Sequence, residues 1–333
     1  MATLSHEAFR HAIEKFGGCD EYFTEMINAT SLLNMGPFEK YYLMSGPCPE
    51  KIVWQITGNN AQSMAEASVV AASQGGIGID LNMGCSAPQI YKTGAGIAWM
   101  LKPLDETRNL VRLVKQALDE YSSKENRHVR LSVKCRLGAE DFTENSFFAF
   151  TDMLLEEGVE LITLHPRTIK EKYRGLPKYD YAQKLAERVS VPIILNGEIK
   201  DTASAKYALS KAPSCAGLMI ARMAAQKPWI FSEIKKGLSG ESDVGNASVA
   251  CDDTKTTVDC QALALEFIDD VMKYQPPEFY KTRLQRFFAY YCLNFTFGHY
   301  FQTQMLNAKS VEESKERILD YFIKQPDDRF IKY

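Results

Sequence analysis

Long apolar runs are missing from this chain. No stretch approaches the ~20 consecutive apolar residues that a membrane-spanning helix requires, so no membrane association is expected. The eight cysteines form no Cys-x-x-Cys pair, and the five histidines lie near no pair of cysteines. A structural metal is therefore not expected, because zinc sites draw on closely spaced thiolates and imidazoles. The opening residues, MATLSHEAFR, lack the basic-then-apolar order of a secretory leader,. A cytoplasmic chain with reduced cysteines is the expectation. A positive excess is absent too: the net charge is −3. Any nucleic-acid site must then be a local cluster of cations, not a broadly basic surface. The remaining composition, 45% hydrophobic and 24% charged, is that of an ordinary globular protein,. A monomer is expected. The 333 residues accommodate a barrel-sized domain of roughly 250 residues and a smaller one.

Short apolar runs alternate with amphipathic helical patterns up to residue 236. The spacing predicts strands at 21–24, 52–57, 77–81, 129–134, 161–164, 192–195 and 217–220. Helices are expected at 62–73, 107–121, 146–156, 181–188, 202–209 and 227–236. Repeated β-then-α units imply a parallel sheet covered on both faces, either open or closed into a barrel. Seven strands are one short of an eight-stranded barrel. The first helix, 6–16, has Ser5 as candidate N-cap and stops at Gly17 and Gly18, and only residues 1–4 precede it,. Either the sheet is not an eight-stranded barrel, or the chain begins just after its first strand. Residues 237–260 are rich in Gly, Ser, Asp and Thr, a linker composition,. Helical patterns at 262–274, 279–297 and 311–323 then read as a small all-helical domain. The expected organisation is a barrel over 1–236, a linker or loop over 237–260 and a helical domain over 261–333.

The most informative segment is 78–88, GIDLNMGCSAP. An apolar run ends at Asn82, and three residues later Cys85 sits in a turn built from Gly84, Ser86 and Pro88. Strand ends followed by glycine turns are where α/β folds place chemistry, because the strand fixes position and the turn exposes the side chain. Cys85 could be a nucleophile, a proton donor or an inert buried thiol. The other strand ends carry Gln55 before Gly58, then Lys134 with Arg136, then His165 with Arg167, Tyr173 and Gly175. Asn196, Gly197 and Glu198 follow the next strand, and Ala221 with Arg222 the last. In a closed sheet all of these converge on one face. Backbone N–H groups near Gly197 and Ala221, beside the Arg222 guanidinium, suit a phosphate. Amides, a lysine and a histidine around one bound phosphate compound suit an isoalloxazine ring, whose reduced form carries negative charge that Lys134 would stabilise. A thiol of ordinary acidity is mostly protonated near neutral pH and can donate that proton. Hydride from a reduced flavin and a proton from Cys85 would together saturate a C=C bond.

In these residues the chain resembles the tRNA-dihydrouridine synthases. The resemblance runs from residue 1 to about 236 through Met1 and the following Ser-His-Glu-Ala-Phe-Arg, Asp80 to Cys85, Lys92-Thr93-Gly94-Ala95-Gly96, and Val133 to Gly138. It continues through His165-Pro166-Arg167-Thr168, Asn196-Gly197-Glu198-Ile199 and Met219-Ile220-Ala221-Arg222. It implies a TIM-type (β/α)8 barrel followed by a small all-helical C-terminal domain, with FMN as cofactor, NADPH as reductant and tRNA as substrate. By resemblance, Met1, Gln55, Lys134, His165, Asn196, Gly197, Glu198, Ala221 and Arg222 are expected at the FMN. Cys85 corresponds to the acid that protonates C5 of the uracil, Asn82 helps hold the base, and Arg136, Arg167 and Tyr173 lie where substrate contacts are expected.

Four departures from the family pattern stand out. The strand that usually ends in Ala-Pro-Met before the first helix is apparently missing or truncated, since the chain starts at that Met. Ser86 replaces a proline, Ala221 a glycine and Glu198 an aspartate. On the RNA side, residues 261–333 hold ten Lys/Arg and ten Asp/Glu, so net charge is silent. Lys281, Arg283 and Arg286, followed by Phe287, Phe288, Tyr290 and Tyr291, read either as an RNA-contacting edge or as a core helix with a solvated basic side. Three rival readings remain: a dihydroorotate dehydrogenase-like flavoenzyme acting on a free pyrimidine, a phosphosugar lyase using Lys134 as Schiff-base nucleophile, and a non-catalytic tRNA-binding relative.

Overall fold

The computed structural model describes residues 1–139, 142–172, 174–239 and 257–333. Its contacts divide the chain into two compact units, one of Glu21–Ile199 with Ala203–Ile220, the other of Met1–Asp20 with Lys200–Thr202 and Ala221–Tyr333.

The first unit is a parallel sheet wrapped by helices, the TIM-type architecture. Two short strands, β1 (Tyr22–Phe23) and β2 (Ile27–Asn28), pair with successive parts of one neighbour, β3 (Ile52–Thr57), and so share a single position. The path continues in chain order through β4 (Gly78–Met83), β5 (Arg130–Cys135), β6 (Leu161–Leu164), β7 (Ile193–Asn196) and β8 (Gly217–Met219), every pair parallel. This makes seven strand positions, and among the described residues no strand precedes the first helix, Glu7–Glu14. All residues of β3 and β4 are buried, as strands covered on both faces must be. That is why Ile52, Val53, Trp54, Ile79 and Leu81 read as near-continuous apolar runs.

Outside the sheet, Asn60 caps the helix Ala61–Ala72 by accepting from the Ser63 N–H at 2.9 Å,. The helix Leu104–Glu125 packs against it and buries Leu110, Val111, Val114 and Leu118, the stripe that a 3.6-residue period produces,. It stops at Asn126, which adopts a left-handed conformation (φ 49°),.

The strand register sets up the site. Side chains alternate faces along a strand, and the pairing aligns Gln55, Asp80 and Ser132 in one row across three strands. A second row aligns Asn82, Lys134 and Thr163 one step closer to the carboxyl ends.

In the second unit, helices Cys260–Tyr274, Pro277–Tyr291, Gly298–Asn307 and Val311–Lys324 enclose an aromatic core. Phe267 and Phe287 stack at 3.7 Å between centroids, and Phe301 meets Tyr321 edge-on at 5.0 Å. The N-terminal helix Glu7–Glu14 belongs to this unit. His11 stacks on Tyr274 at 4.7 Å, and Phe9 meets Phe287 at 6.4 Å.

Several local expectations change. Ser5 does not cap the first helix, because its Oγ accepts from the Met1 amino group. Residues 257–259, linker by composition, form strand β9 (Thr257–Asp259), antiparallel to β10 (Phe330–Lys332). Residues 237–239 of the expected linker end the helix Ile230–Ser239, Cys260 starts the next helix, and 240–256 lie outside the described residues. The single helix expected at 279–297 ends at Tyr291 and gives way to a 3-10 turn, Cys292–Asn294, and extended Phe295. Gly298 then starts a new helix at a point where a Cβ would come within 2.2 Å of the Cys292 carbonyl oxygen, so only glycine fits that reversal.

Candidate active site

At the carboxyl end of β3 and β4 a chain of hydrogen bonds links three side chains to the cysteine turn. Gln55 donates from Nε2 to Asp80 Oδ2 at 2.7 Å, and Asn82 donates from Nδ2 to Gln55 Oε1 at 2.9 Å. Asn82 Oδ1 then accepts from the backbone N–H of Cys85 at 3.0 Å and of Gly84 at 3.3 Å. The turn carrying Cys85 is thus tied to the strand it leaves, and the thiol stays partly exposed. A second tie comes from behind, where Ile97 N–H donates to the Cys85 carbonyl at 3.0 Å. Gly96 permits that approach: at φ 60°, a Cβ there would stand 2.6 Å from the same carbonyl oxygen. Arg136 is buried, and its Nε donates to the Gly84 carbonyl at 3.0 Å.

Across the barrel interior, Lys134 Nζ donates to Asn196 Oδ1 at 3.1 Å, and Asn196 Nδ2 donates to the Met219 carbonyl at 2.8 Å. This fixes the Asn196 amide so that its oxygen faces the ammonium. Burial is the main force lowering Lys134, with the Arg136 charge adding to it, and the result is about 8,. The ammonium therefore persists at neutral pH. Asp80, fully buried, is pushed up to about 6 by desolvation, against the opposing hydrogen bonds from Gln55 and Ser132.

At the next strand ends His165 is buried, and Arg167 is 1% exposed. The Arg167 guanidinium reaches the His165 Nε2 and the Glu198 carboxylate, each at 3.4 Å, and donates to the Gly175 carbonyl. Glu198 itself holds a left-handed backbone, φ 56°. Gly197 (φ 122°) leaves no room for a side chain, since a Cβ would come within 2.8 Å of His165 Cδ2. Tyr179 donates its hydroxyl to the Gly197 carbonyl at 2.8 Å, and burial pushes that phenol up to about 12, keeping it a donor.

A family model described as dihydrouridine synthase matches residues 1–322. The chain belongs to the dihydrouridine synthase family. Among its relatives, a probable tRNA-dihydrouridine synthase of Aquifex aeolicus is 32% identical over 238 residues, 71% of each chain. The tRNA-dihydrouridine synthase B of Vibrio vulnificus is 36% identical over 235 residues, covering 70% of this chain and 69% of that one. A probable tRNA-dihydrouridine synthase 1 of Synechocystis is 26% identical over 328 residues, 97% of this chain and 84% of its own.

For this member of the dihydrouridine synthase family, the structure brings Gln55, Asn82, Cys85, Lys134, Arg136, His165, Arg167, Asn196, Gly197 and Glu198 to one end of the barrel unit. Arg167 is occupied with Glu198 and the Gly175 carbonyl, which makes it a brace inside the wall of the site. Tyr173 lies outside the described residues. Met1, Ala221 and Arg222 fall in the other unit. There Ala221 precedes the helix Arg222–Gln226 with φ −120° and ψ −90°, and Arg222 is exposed.

Of the three basic residues on helix Pro277–Tyr291, Lys281 and Arg286 are exposed. Arg283 is 2% exposed; its Nε donates to Gln275 Oε1 at 3.2 Å and its guanidinium covers the Phe279 ring. The basic edge is therefore two residues wide, and Phe287, Phe288 and Tyr291 are core. Among the described residues no group of three His, Cys, Asp or Glu side chains is placed to hold a metal ion. None of their helices is long and apolar enough to cross a membrane.

The sequence reading assigned no role to Asp80, Ser132, Gly96 or Tyr179. The i, i+2 spacing of Asp80 and Asn82 within a buried strand was the available signal for the first of these, because it puts both on one face.

Proposed function

We propose that this protein reduces the C5=C6 bond of uridines in tRNA, with FMN as its bound flavin, NADPH as the source of electrons and Cys85 Sγ as the proton donor to C5. The observation that carries this reading is the pairing of a hydrogen-bonded cysteine turn with a protonated lysine and fixed amides at one barrel end. Those residues fit a flavin. Lys134 offers an ammonium with two N–H bonds beyond the one given to Asn196,. Gln55 and Asn196 present oriented amides suited to a pyrimidine edge, the buried Thr163 hydroxyl has no hydrogen-bond partner in the described structure, and Gly197 exposes bare backbone.

When bound, the flavin supplies hydride to C6 of the uracil. Lys134 would supply the cationic charge that stabilises the negative charge of the reduced ring,. Asn82 orients the base while its Oδ1 keeps the Cys85 turn in place. Cys85 Sγ–H would deliver its proton to C5, the neighbouring carbon of the same double bond, and solvent would restore it. In this reading the barrel unit is the catalytic domain and helices 261–333 hold the tRNA, with Lys281 and Arg286 contacting phosphates. Met1, Glu198, Ala221 and Arg222 would contact the FMN, and Arg136, Arg167 and Tyr173 would serve the substrate side, a reading that rests on the family resemblance. The lyase alternative loses ground because it leaves the hydrogen-bonded Cys85 turn without a role.

The test is anaerobic reduction of the purified protein by NADPH, followed by unmodified tRNA while the visible flavin band is recorded. Reoxidation by tRNA and not by free uridine or orotate supports the reading. A reduced flavin that responds to orotate alone, or a protein without flavin that binds tRNA, overturns it.

A further inference from the structure

The hydrogen bonds at the cysteine turn run in one direction, and the direction is set by a group that lies outside the reaction. A carboxylate only accepts hydrogen bonds, whereas an amide side chain can be turned either way. Asp80 sits one row below the site, 0% exposed, with Oδ2 accepting from Gln55 Nε2 at 2.7 Å and Oδ1 accepting from Ser132 Oγ at 2.8 Å. Because Asp80 takes the Gln55 N–H, the Gln55 oxygen must face Asn82. Because that oxygen takes the Asn82 N–H, the Asn82 oxygen must face the backbone N–H groups of Gly84 and Cys85. Reversing either amide would set oxygen against oxygen at one end and strand two buried donors at the other, which costs more than the bonds are worth when made. The Gln55 backbone is held as well, its N–H donating to Thr24 Oγ1 at 3.0 Å.

We propose that Asp80 is a positioning residue: it polarises the Gln55–Asn82 relay in one sense and thereby holds the Cys85 turn in the geometry from which its thiol acts. Asp80 touches neither thiol nor turn. Burial raises its pKa, so its charge is maintained at a cost in folding stability, as is common for groups kept for function. The part of this inference that concerns turnover rests on the reading of Cys85 given above; the part that concerns the turn does not.

The experiment is amide hydrogen exchange at Gly84 and Cys85 in the full-length protein, with dihydrouridine formation measured on the same samples. Asp80→Leu removes the acceptor and is expected to speed exchange at both amides about tenfold, the effect of losing one buried hydrogen bond. Its kcat should fall with KM for tRNA little changed. Asp80→Asn, which can still turn a carbonyl toward Gln55, should recover most of the protection and guards against a Leu variant that does not fold. Ser132→Ala removes the other partner of the same carboxylate and should leave both amides protected. In a Gln55→Leu background, adding Asp80→Leu should change exchange no further, because the middle link is gone. Unaltered protection in folded Asp80→Leu, equal loss in Ser132→Ala, or additive effects in the double variant would each overturn the proposal. If Cys85→Ala keeps full activity while the exchange results hold, the functional reading fails and the relay stands.

Discussion

At the scale of single residues, the site depends on a few polar groups whose burial opposes folding. Cys85→Ala should leave flavin content and NADPH-driven flavin reduction intact while lowering dihydrouridine formation by at least ~100-fold, the usual worth of a positioned proton donor. Product analysis of treated tRNA checks this, and near-normal yield would remove Cys85 from the chemistry. Lys134 gives a prediction in pH. Its value in the folded protein, about 8, is lower than the ordinary lysine value of 10.5. The unfolded chain then binds the extra proton between those two values, so stability gains from this group as pH rises through that window. Below about pH 8 the cost of burying the ammonium is complete. Lys134→Met should therefore be more stable than the parent at pH 7, with the advantage shrinking as pH climbs from 8 to 10. The same variant should lose flavin. Denaturant melts at the two pH values give the answer, and an advantage that does not vary with pH would contradict it.

At the scale of elements, strand register decides which side chains meet. Parallel pairing of β3, β4 and β5 places Gln55 beside Asp80 and Asp80 beside Ser132; a one-residue slip would turn all of them to the other face. The loop after β4 is held from two directions, by Asn82 in front and by the 96–97 segment behind. Gly96→Ala should push that segment off the Cys85 carbonyl, at a cost of about 2 kcal/mol or an equivalent shift of the turn. The expected signature is retained flavin, lower turnover and faster alkylation of Cys85 by a thiol reagent. An unchanged alkylation rate would mean that the turn does not depend on the close approach. Most of these elements were readable in advance. Seven strand positions and the long helices follow from apolar periodicity, because strands buried on both faces and helices buried on one leave a clear pattern. The short helices at Ala29–Leu33, Pro88–Tyr91 and Ala98–Leu101 escaped it, since four or five residues are too few to show a period.

At the scale of the molecule, the compact units do not follow chain order. The N-terminal helix packs with Cys260–Tyr274, and Phe16 meets both Trp229 and Tyr333 edge-on. Residues 261–333 alone would expose the faces that Phe9 and Phe16 cover, each such side chain contributing about 1.5–3 kcal/mol when buried. This fragment should show weakened helical circular dichroism and poor amide dispersion, and joining residues 1–20 to it should restore both in part. A fragment that melts cooperatively without residues 1–20 would show that the helices suffice. The β9–β10 pair adds a second tie within this unit: Arg329 bridges Asp259 at 2.8 Å, and its backbone carbonyl accepts from the Cys260 N–H.

What the amino-acid order determined by itself was the layered α/β plan and the ends of its strands. It also determined the Asp80–Cys85 motif with its lysine, histidine and asparagine partners, because periodicity and turn chemistry are local properties. Tertiary structure alone decided what those partners do. Arg283 and Arg167 look alike in sequence to any surface arginine, yet one stacks inside the helical core and the other braces Glu198. Spacing puts Asp80 on the same face as Asn82, but its role lies in the strands beside it,. A hydrogen bond across three strands exists only once the register has been set, and register is a property of the folded sheet.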